Sequence, residues 1–156
     1  MIDRIGIDPG LSGAVCALEN GRVSVVIDLP IRAKLTGKGN EIDAPRLWEM
    51  LSGIGLVKGE TPVYLEKVHS MPGQGVKSVF SFGESTGVIK GVVASFGLPL
   101  FLVTPQKWKK AAGLIGKDKD CARTLAQDTH PEAREFLQRK KDIGRADAIL
   151  IAEFGG

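Results

Sequence analysis

Soft metal ligands are scarce in this chain, which has two cysteines, Cys16 and Cys121, and two histidines, His69 and His130. The histidines are too few and too far apart for a zinc site. Cys16 lies in the apolar stretch Ala14-Val15-Cys16-Ala17-Leu18, so the two cysteines read as buried thiols rather than a disulfide framework. Long hydrophobic runs are missing too, and none approaches the roughly 20 residues of a bilayer span. A strand pattern begins almost at Met1, with no leader pattern before it, so the expected location is cytoplasmic, without membrane association. Excess charge of one sign is small: Lys+Arg number 21 against Asp+Glu 18, a net charge of +3. That imbalance alone is a weak sign of a nucleic-acid partner.

The placement of the charge says more. Positive residues gather at Arg32, Lys34 and Lys38, at Lys107, Lys109 and Lys110, at Lys117 and Lys119, and at Arg139, Lys140, Lys141 and Arg145. A hydrophobic content of 43% over this length suits one core, so residues 1–156 are expected to form a single domain.

Residues Arg4 to Asp8, Ala14 to Leu18 and Val23 to Ile27 read as a three-stranded meander, with Asn20-Gly21 as a hairpin turn. Arg32 to Asn40 reads as a mobile loop, and Asp43 as the cap of a short helix through Leu47, Trp48 and Leu51. Val63 to Leu65 is apolar on both sides of the pleat, as in the interior of a mixed or parallel sheet. Glu66 ends that strand, and a Gly/Pro-containing loop follows from Lys67 to Lys77. A helix is expected from about Ser78 to Phe96, a strand from Leu98 to Val103, and a helix capped by Thr104-Pro105. Further helices are expected over Lys117 to Gln127, Glu132 to Lys140, and Ala146 to Phe154, the last with Asp147 in its first turn. Together these predict one mixed sheet with helices on both faces. Gly83, Gly87 and Gly91 form a stripe on the long helix. Since each costs about 1 kcal/mol of helix propensity relative to alanine, close packing is expected there, against the sheet by preference or against a partner subunit.

Three carboxylates sit at element ends beside apolar runs: Asp8, Glu66 and Asp147. Desolvating a carboxylate is costly unless a partner or metal compensates, so a divalent cation is the economical explanation. Converging acids suit Mg²⁺ or Mn²⁺. Two such ions about 4 Å apart can drive an in-line phosphodiester displacement.

The segments Ile5-Gly6-Ile7-Asp8-Pro9-Gly10-Leu11-Ser12-Gly13, Leu65-Glu66, Thr104-Pro105-Gln106-Lys107-Trp108-Lys109-Lys110 with Lys117-Asp118-Lys119, and Lys141-Asp142-Ile143-Gly144-Arg145-Ala146-Asp147-Ala148 carry a resemblance. In this order they are similar to the RuvC-type Holliday-junction resolvases, especially the phage and chloroplast branches. The resemblance implies a ribonuclease-H-like α/β fold with a mixed five-stranded sheet, a homodimer, and paired symmetric nicks across a four-way DNA junction in a bacterial or phage-infected cell. It also implies two Mg²⁺ or Mn²⁺ ions per site and no small-molecule cofactor. By position, Asp8 would bridge both ions, Glu66 would hold the ion that activates water, and Asp147 would complete the site. The bacterial branch has a further ligand three residues before the last acid, where this chain has Gly144; Asp142 is the candidate replacement. Lys119 resembles the family lysine beside the scissile phosphate, where a cation offsets developing charge. His69, Met71, Gln74 and Lys77 fall in the loop that the resemblance assigns to the junction centre. Lys107, Lys109, Lys110, Lys117, Lys140 and Arg145 are the expected DNA-binding cations, with Trp108 as a core residue fixing their helix.

The opening acidic turn also occurs in actin-like ATPases and sugar kinases, but those need a second domain and a glycine-rich phosphate cradle that this chain lacks. Two other readings stay open: a ribonuclease-H-like nuclease for other branched DNA or RNA–DNA hybrids, and a non-catalytic junction-binding module.

Overall fold

A computed structural model describes all 156 residues. Strands β1 (Arg4–Asp8), β2 (Ala14–Glu19) and β3 (Arg22–Asp28) form the expected meander. Its second turn places Asn20 at φ 53° and Gly21 at φ 69°, the paired left-handed conformation that an Asn-Gly hairpin favours. The segment expected as a loop is instead partly ordered as a small hairpin, β4 (Ile31–Ala33) and β5 (Asn40–Ile42). Buried Ile42 anchors it to the core, a tertiary contact that the polar stretch between the strands does not signal. Asp43 then caps α1 (Ala44–Ser52), its side chain accepting from the Arg46 amide.

The second half contains β6 (Val63–Glu66), α2 (Val76–Ser95), β7 (Leu100–Val103), α3 (Pro105–Ala111), α4 (Lys119–Thr129) and α5 (Ile143–Phe154). Residues expected as a helix between α4 and α5 form two 3₁₀ segments, Pro131–Leu137 and Lys140–Asp142. The main sheet has the order β3-β2-β1-β6-β7. β1 pairs antiparallel with β2, and β6 pairs parallel with both β1 and β7. One face buries Ile5, Ile7, Val15, Val63 and Leu65 with Leu47 and Leu51 of α1 and Ile89 and Val93 of α2. The other buries Cys16, Leu18 and Val103 with Trp108 of α3, Ala126 of α4 and Ile149 and Leu150 of α5. The sheet is therefore mixed, five-stranded and covered on both faces. Cys16 is a buried free thiol, as expected.

Period-two alternation assigns the faces. Ile5 and Ile7 turn toward α2, so Gly6 and Asp8 turn toward α5. A Cβ at Gly6 would stand 2.3 Å from both the Ala148 carbonyl oxygen and the Ala152 nitrogen, so α5 lies directly on the β1 backbone. At its other end, a Cβ at Gly144 would stand 2.2 Å from the Ser12 carbonyl oxygen. Helix α5 thus begins at Ile143, three residues before the sequence-based expectation, and Asp147 lies beyond its first turn. The close approach at Gly144 overrides the propensity cost of a glycine there.

The glycine stripe of α2 does not pack on the sheet. A Cβ at Gly83, Gly87 or Gly91 would meet nothing within 4 Å, which corrects the preferred expectation.

The contact of α5 with β1 generates a first test. Gly6→Ala forces a methyl into backbone atoms, and overpacking of that kind costs about 1–3 kcal/mol. The melting temperature should fall by about 3–10 °C, measured by calorimetry or circular dichroism; an unchanged value would contradict the α5–β1 register.

Candidate active site

Strand register brings the first two acids together. Ile7 of β1 pairs with Leu65 of parallel β6, so Asp8 and Glu66 follow side by side at the carboxyl ends of neighbouring strands, on the face covered by α5. Gly6 seats Ala148 against β1, and Asp147 immediately precedes Ala148. All three acids line one cleft of about 1150 Å³, at the strand ends where open α/β sheets commonly bind ligands.

Electrostatics ties the three into one group. Burial, then repulsion from Asp147 and Glu66, pushes the Asp8 carboxyl well above its ordinary range, with Lys109 acting against the shift. Burial, then repulsion from Glu66, raises Asp147 to about 7, opposed by Lys109 and Lys119. The two lysines do not offset the burial and the repulsion, so these acids are incompletely neutralised although lysines rim the cleft. The donor set is all oxygen, which fits a hard divalent cation. No three acids or imidazoles anywhere in the chain form a ready-made cation cage; the acids share a cleft without closing on one point. Glu66 is further held by the Trp108 indole, whose Nε1–H donates to Oε2 at 2.7 Å.

The expected fourth ligand is elsewhere. Asp142 is 3% exposed and absent from the cleft lining. Arg139 occupies it through Nε at 3.0 Å, Nη2 at 2.7 Å and its backbone amide at 2.8 Å, holding the carboxyl below its ordinary range. Asp142, expected as the fourth ligand, is thus placed apart from the other three acids and paired with Arg139. Gly144 cannot supply a ligand in its place, because the Ser12 carbonyl fills the space of a side chain.

Of the expected DNA-binding residues, His69, Met71, Gln74, Lys77, Lys109, Lys117 and Lys140 line the cleft, as does Lys119. Asp118 caps α4 and sets Lys119 as its first residue. Gln74 also shapes its own loop, Oε1 accepting from the Met71 amide at 3.2 Å. Three expected DNA-binding cations lie apart from the cleft lining. Arg145 forms a bidentate pair with Asp28 at 2.7 and 2.8 Å and donates to the Phe136 carbonyl, which ties α5 to β3. Lys107 donates to the Gly155 carbonyl at 3.3 Å, and Lys110 lies outside the cleft lining. A seven-residue helix turns its side chains all round, so three neighbouring lysines cannot share one face.

Sequence reading missed several lining residues. Lys67, Lys141 and Ser12 face the cleft, as do Ser78, Ser81 and Ser85 of α2. The serines were legible, because their spacing puts them on one helical stripe. Lys109 was expected to bind DNA, and its position beside Asp8 and Asp147 needed the α3 packing to become visible.

The raised Asp147 carboxyl generates a pH test. The folded protein holds this proton more tightly than the unfolded chain does, so the metal-free protein loses stability as pH rises from about 4 through about 7. Asp147→Asn should therefore raise the melting temperature at pH 8 and leave it nearly unchanged at pH 4. The gain is bounded by about 4 kcal/mol. Equal melting curves for both proteins at pH 8 would contradict the electrostatic reading.

No protein-family model matches the chain. It is 36% identical over 90 residues, 57% of its length, to the chloroplastic Holliday junction resolvase MOC1 of Chlamydomonas reinhardtii, and the match spans 10% of that protein. Among solved structures it is similar to Thermus thermophilus RuvC, at a TM-score of 0.61 and 18% identity, covering 97% of this chain and 91% of that one. The same bacterial protein in complex with a Holliday junction substrate is matched at a TM-score of 0.60 and 18% identity, covering 97% and 90%. No helix is long and apolar enough to cross a membrane. The mixed five-stranded sheet, the helices on both faces and these likenesses give the chain the RuvC fold, of the ribonuclease-H-like type.

Proposed function

We propose that this chain is a divalent-metal-dependent endonuclease that resolves four-way DNA junctions by paired nicks, acting as a homodimer in a bacterial or phage-infected cytoplasm. The observation that carries the reading is the under-neutralised group of Asp8, Glu66 and Asp147 in a cleft rimmed by lysines. Likeness to a chloroplast resolvase and to RuvC supports the same reading.

Asp8, Glu66 and Asp147 would hold Mg²⁺ or Mn²⁺, two ions by analogy with the fold's nucleases. Bound there, the ions would activate water and offset charge on the phosphodiester. The chain's own residues do the rest. Lys109 and Lys119 stand beside the acids and add positive charge where a phosphate would sit. Lys77, Lys117, Lys140 and Lys141 rim the cleft and would hold the DNA backbone, which gives binding a steep salt dependence. His69 and Met71 lie on the loop after Glu66, and Met71 is 61% exposed, available to wedge between unstacked bases at a crossover.

Paired nicking needs two active sites related by a two-fold axis. The open glycine stripe of α2 supports self-association, since Gly83, Gly87 and Gly91 would let a second helix approach the backbone. Val76 and Phe80 of the same helix are 87% and 67% exposed, an apolar surface that a partner would cover.

Two variants test this reading. Asp8→Asn should reduce cleavage of an end-labelled mobile four-way junction to background in Mg²⁺ or Mn²⁺ while keeping or tightening junction binding, because one negative charge facing phosphate is gone. Retained cleavage would overturn the site. Wild-type cutting of flaps or RNA–DNA hybrids in place of junctions would change the substrate, and binding without any metal-dependent cut would make the chain a binding module. Gly87→Leu should raise the melting temperature of the monomer by a few degrees, because an open helical glycine is replaced, and shift sedimentation from dimer to monomer; an unaltered dimer would remove α2 from the interface.

A further inference from the structure

Trp108 is completely buried, at 0% exposure, and belongs to the core formed by α3, α4 and α5. An indole N–H can only donate, and a buried donor requires an acceptor. The acceptor here is Oε2 of Glu66, at 2.7 Å, rather than a backbone carbonyl. Trp108 does not line the cleft, whereas Glu66 does. The indole therefore reaches the carboxylate from behind, out of the protein interior.

We infer that Trp108 is a positioning residue for Glu66. It commits one carboxylate oxygen to the core and leaves Oε1 as the acceptor offered to the cleft. This deepens the nuclease reading and rests on the cation site within it.

The placement of Trp108 is itself well supported. Thr104 caps α3 by accepting from the Lys107 amide, and Lys107 is tied to the Gly155 carbonyl beyond the end of α5. The next residue, Lys109, lies 5.3 Å from the Trp108 ring centroid and is the cation that acts on Asp8 and Asp147. One short helix thus orients the carboxylate at the end of β6 and delivers counter-charge to the other two acids. Without the indole donor, Glu66 would be free to rotate over its three side-chain torsions, and binding a cation would carry that ordering cost. Hydrogen-bond partners behind metal-binding carboxylates typically contribute about 10–100-fold in metal affinity or activity.

Trp108→Phe keeps an aromatic ring in the core and removes only the donor. Isothermal calorimetry on the DNA-free protein should find Mn²⁺ affinity about 10–100-fold weaker in this variant, with junction affinity measured in Ca²⁺ unchanged. Added Mn²⁺ should partly restore cleavage, which loss of fold alone would not allow. Mn²⁺ affinity equal to wild type in a folded variant would overturn the inference. The calorimetry is independent of cleavage: wild-type protein that binds Mn²⁺ but cuts no junction would refute the nuclease reading and leave the role of Trp108 standing.

Should the variant fail to fold, the wild-type ¹H–¹⁵N spectrum decides. The Trp108 indole resonance should move as Mg²⁺ is added, with the calorimetric midpoint, and should stay still in Glu66→Ala. Trp48, stacked on Phe96 at 5.4 Å outside the cleft, is the internal control and should not respond. A Trp108 resonance that is unmoved at Mg²⁺ saturation would overturn the inference as surely as unchanged affinity.

Discussion

Burial of Asp8 and Asp147 beside Glu66 at one edge of the sheet, with the repulsion that adds to it, is the constraint on which the rest of this structure depends. Burial and proximity leave Asp8 and Asp147 protonated far more readily than free carboxylates, a state that opposes folding at neutral pH unless positive charge arrives. The protein tolerates this because the surrounding framework over-determines the position of each acid. Asp8 and Glu66 are set by the parallel register of β1 and β6. Asp147 is set by α5, which can lie on β1 only because Gly6 and Gly144 leave room for it.

Compensation at the periphery is graded. Lys109 and Lys119 act directly on the acids, while the outer lysines of the cleft face solvent and would meet a polyanion. Charges that cannot serve the cleft are used structurally: Arg139 neutralises buried Asp142, and Arg145 locks α5 to β3 through Asp28. The division is sharp, because paired arginines lie behind the site and unpaired lysines line it. Lysine, a hydrated point charge on a flexible stem, suits an open phosphate-binding rim, whereas arginine's planar fork suits fixed carboxylate pairs.

Much of this was legible in the sequence for physical reasons. Short apolar runs marked β1, β2 and β6, Asn20-Gly21 marked the hairpin, and capping residues marked the starts of α1 and α3. Acids at the ends of apolar runs marked the site. What was not legible depended on which side chains pair and which distant segments meet. Asp142 looked available because Arg139, its partner, is only three residues away and nothing local distinguishes a buried pair from a solvated turn. Gly144 looked only like a missing ligand position, because the Ser12 carbonyl that demands a glycine there arrives from the other end of the chain. The α2 stripe looked like packing onto the sheet, yet it faces outward. Trp108 was correctly read as core, but its indole contact with Glu66, 42 residues away, has no local signature.

The most direct measurement is anomalous scattering from a crystal of the wild-type protein loaded with Mn²⁺ at pH 8, above the Asp147 value of about 7. The account predicts anomalous density in the cleft, in contact with Asp8, Glu66 and Asp147, and none beside Asp142. Density at Asp142, or an empty cleft at saturating Mn²⁺, would contradict it.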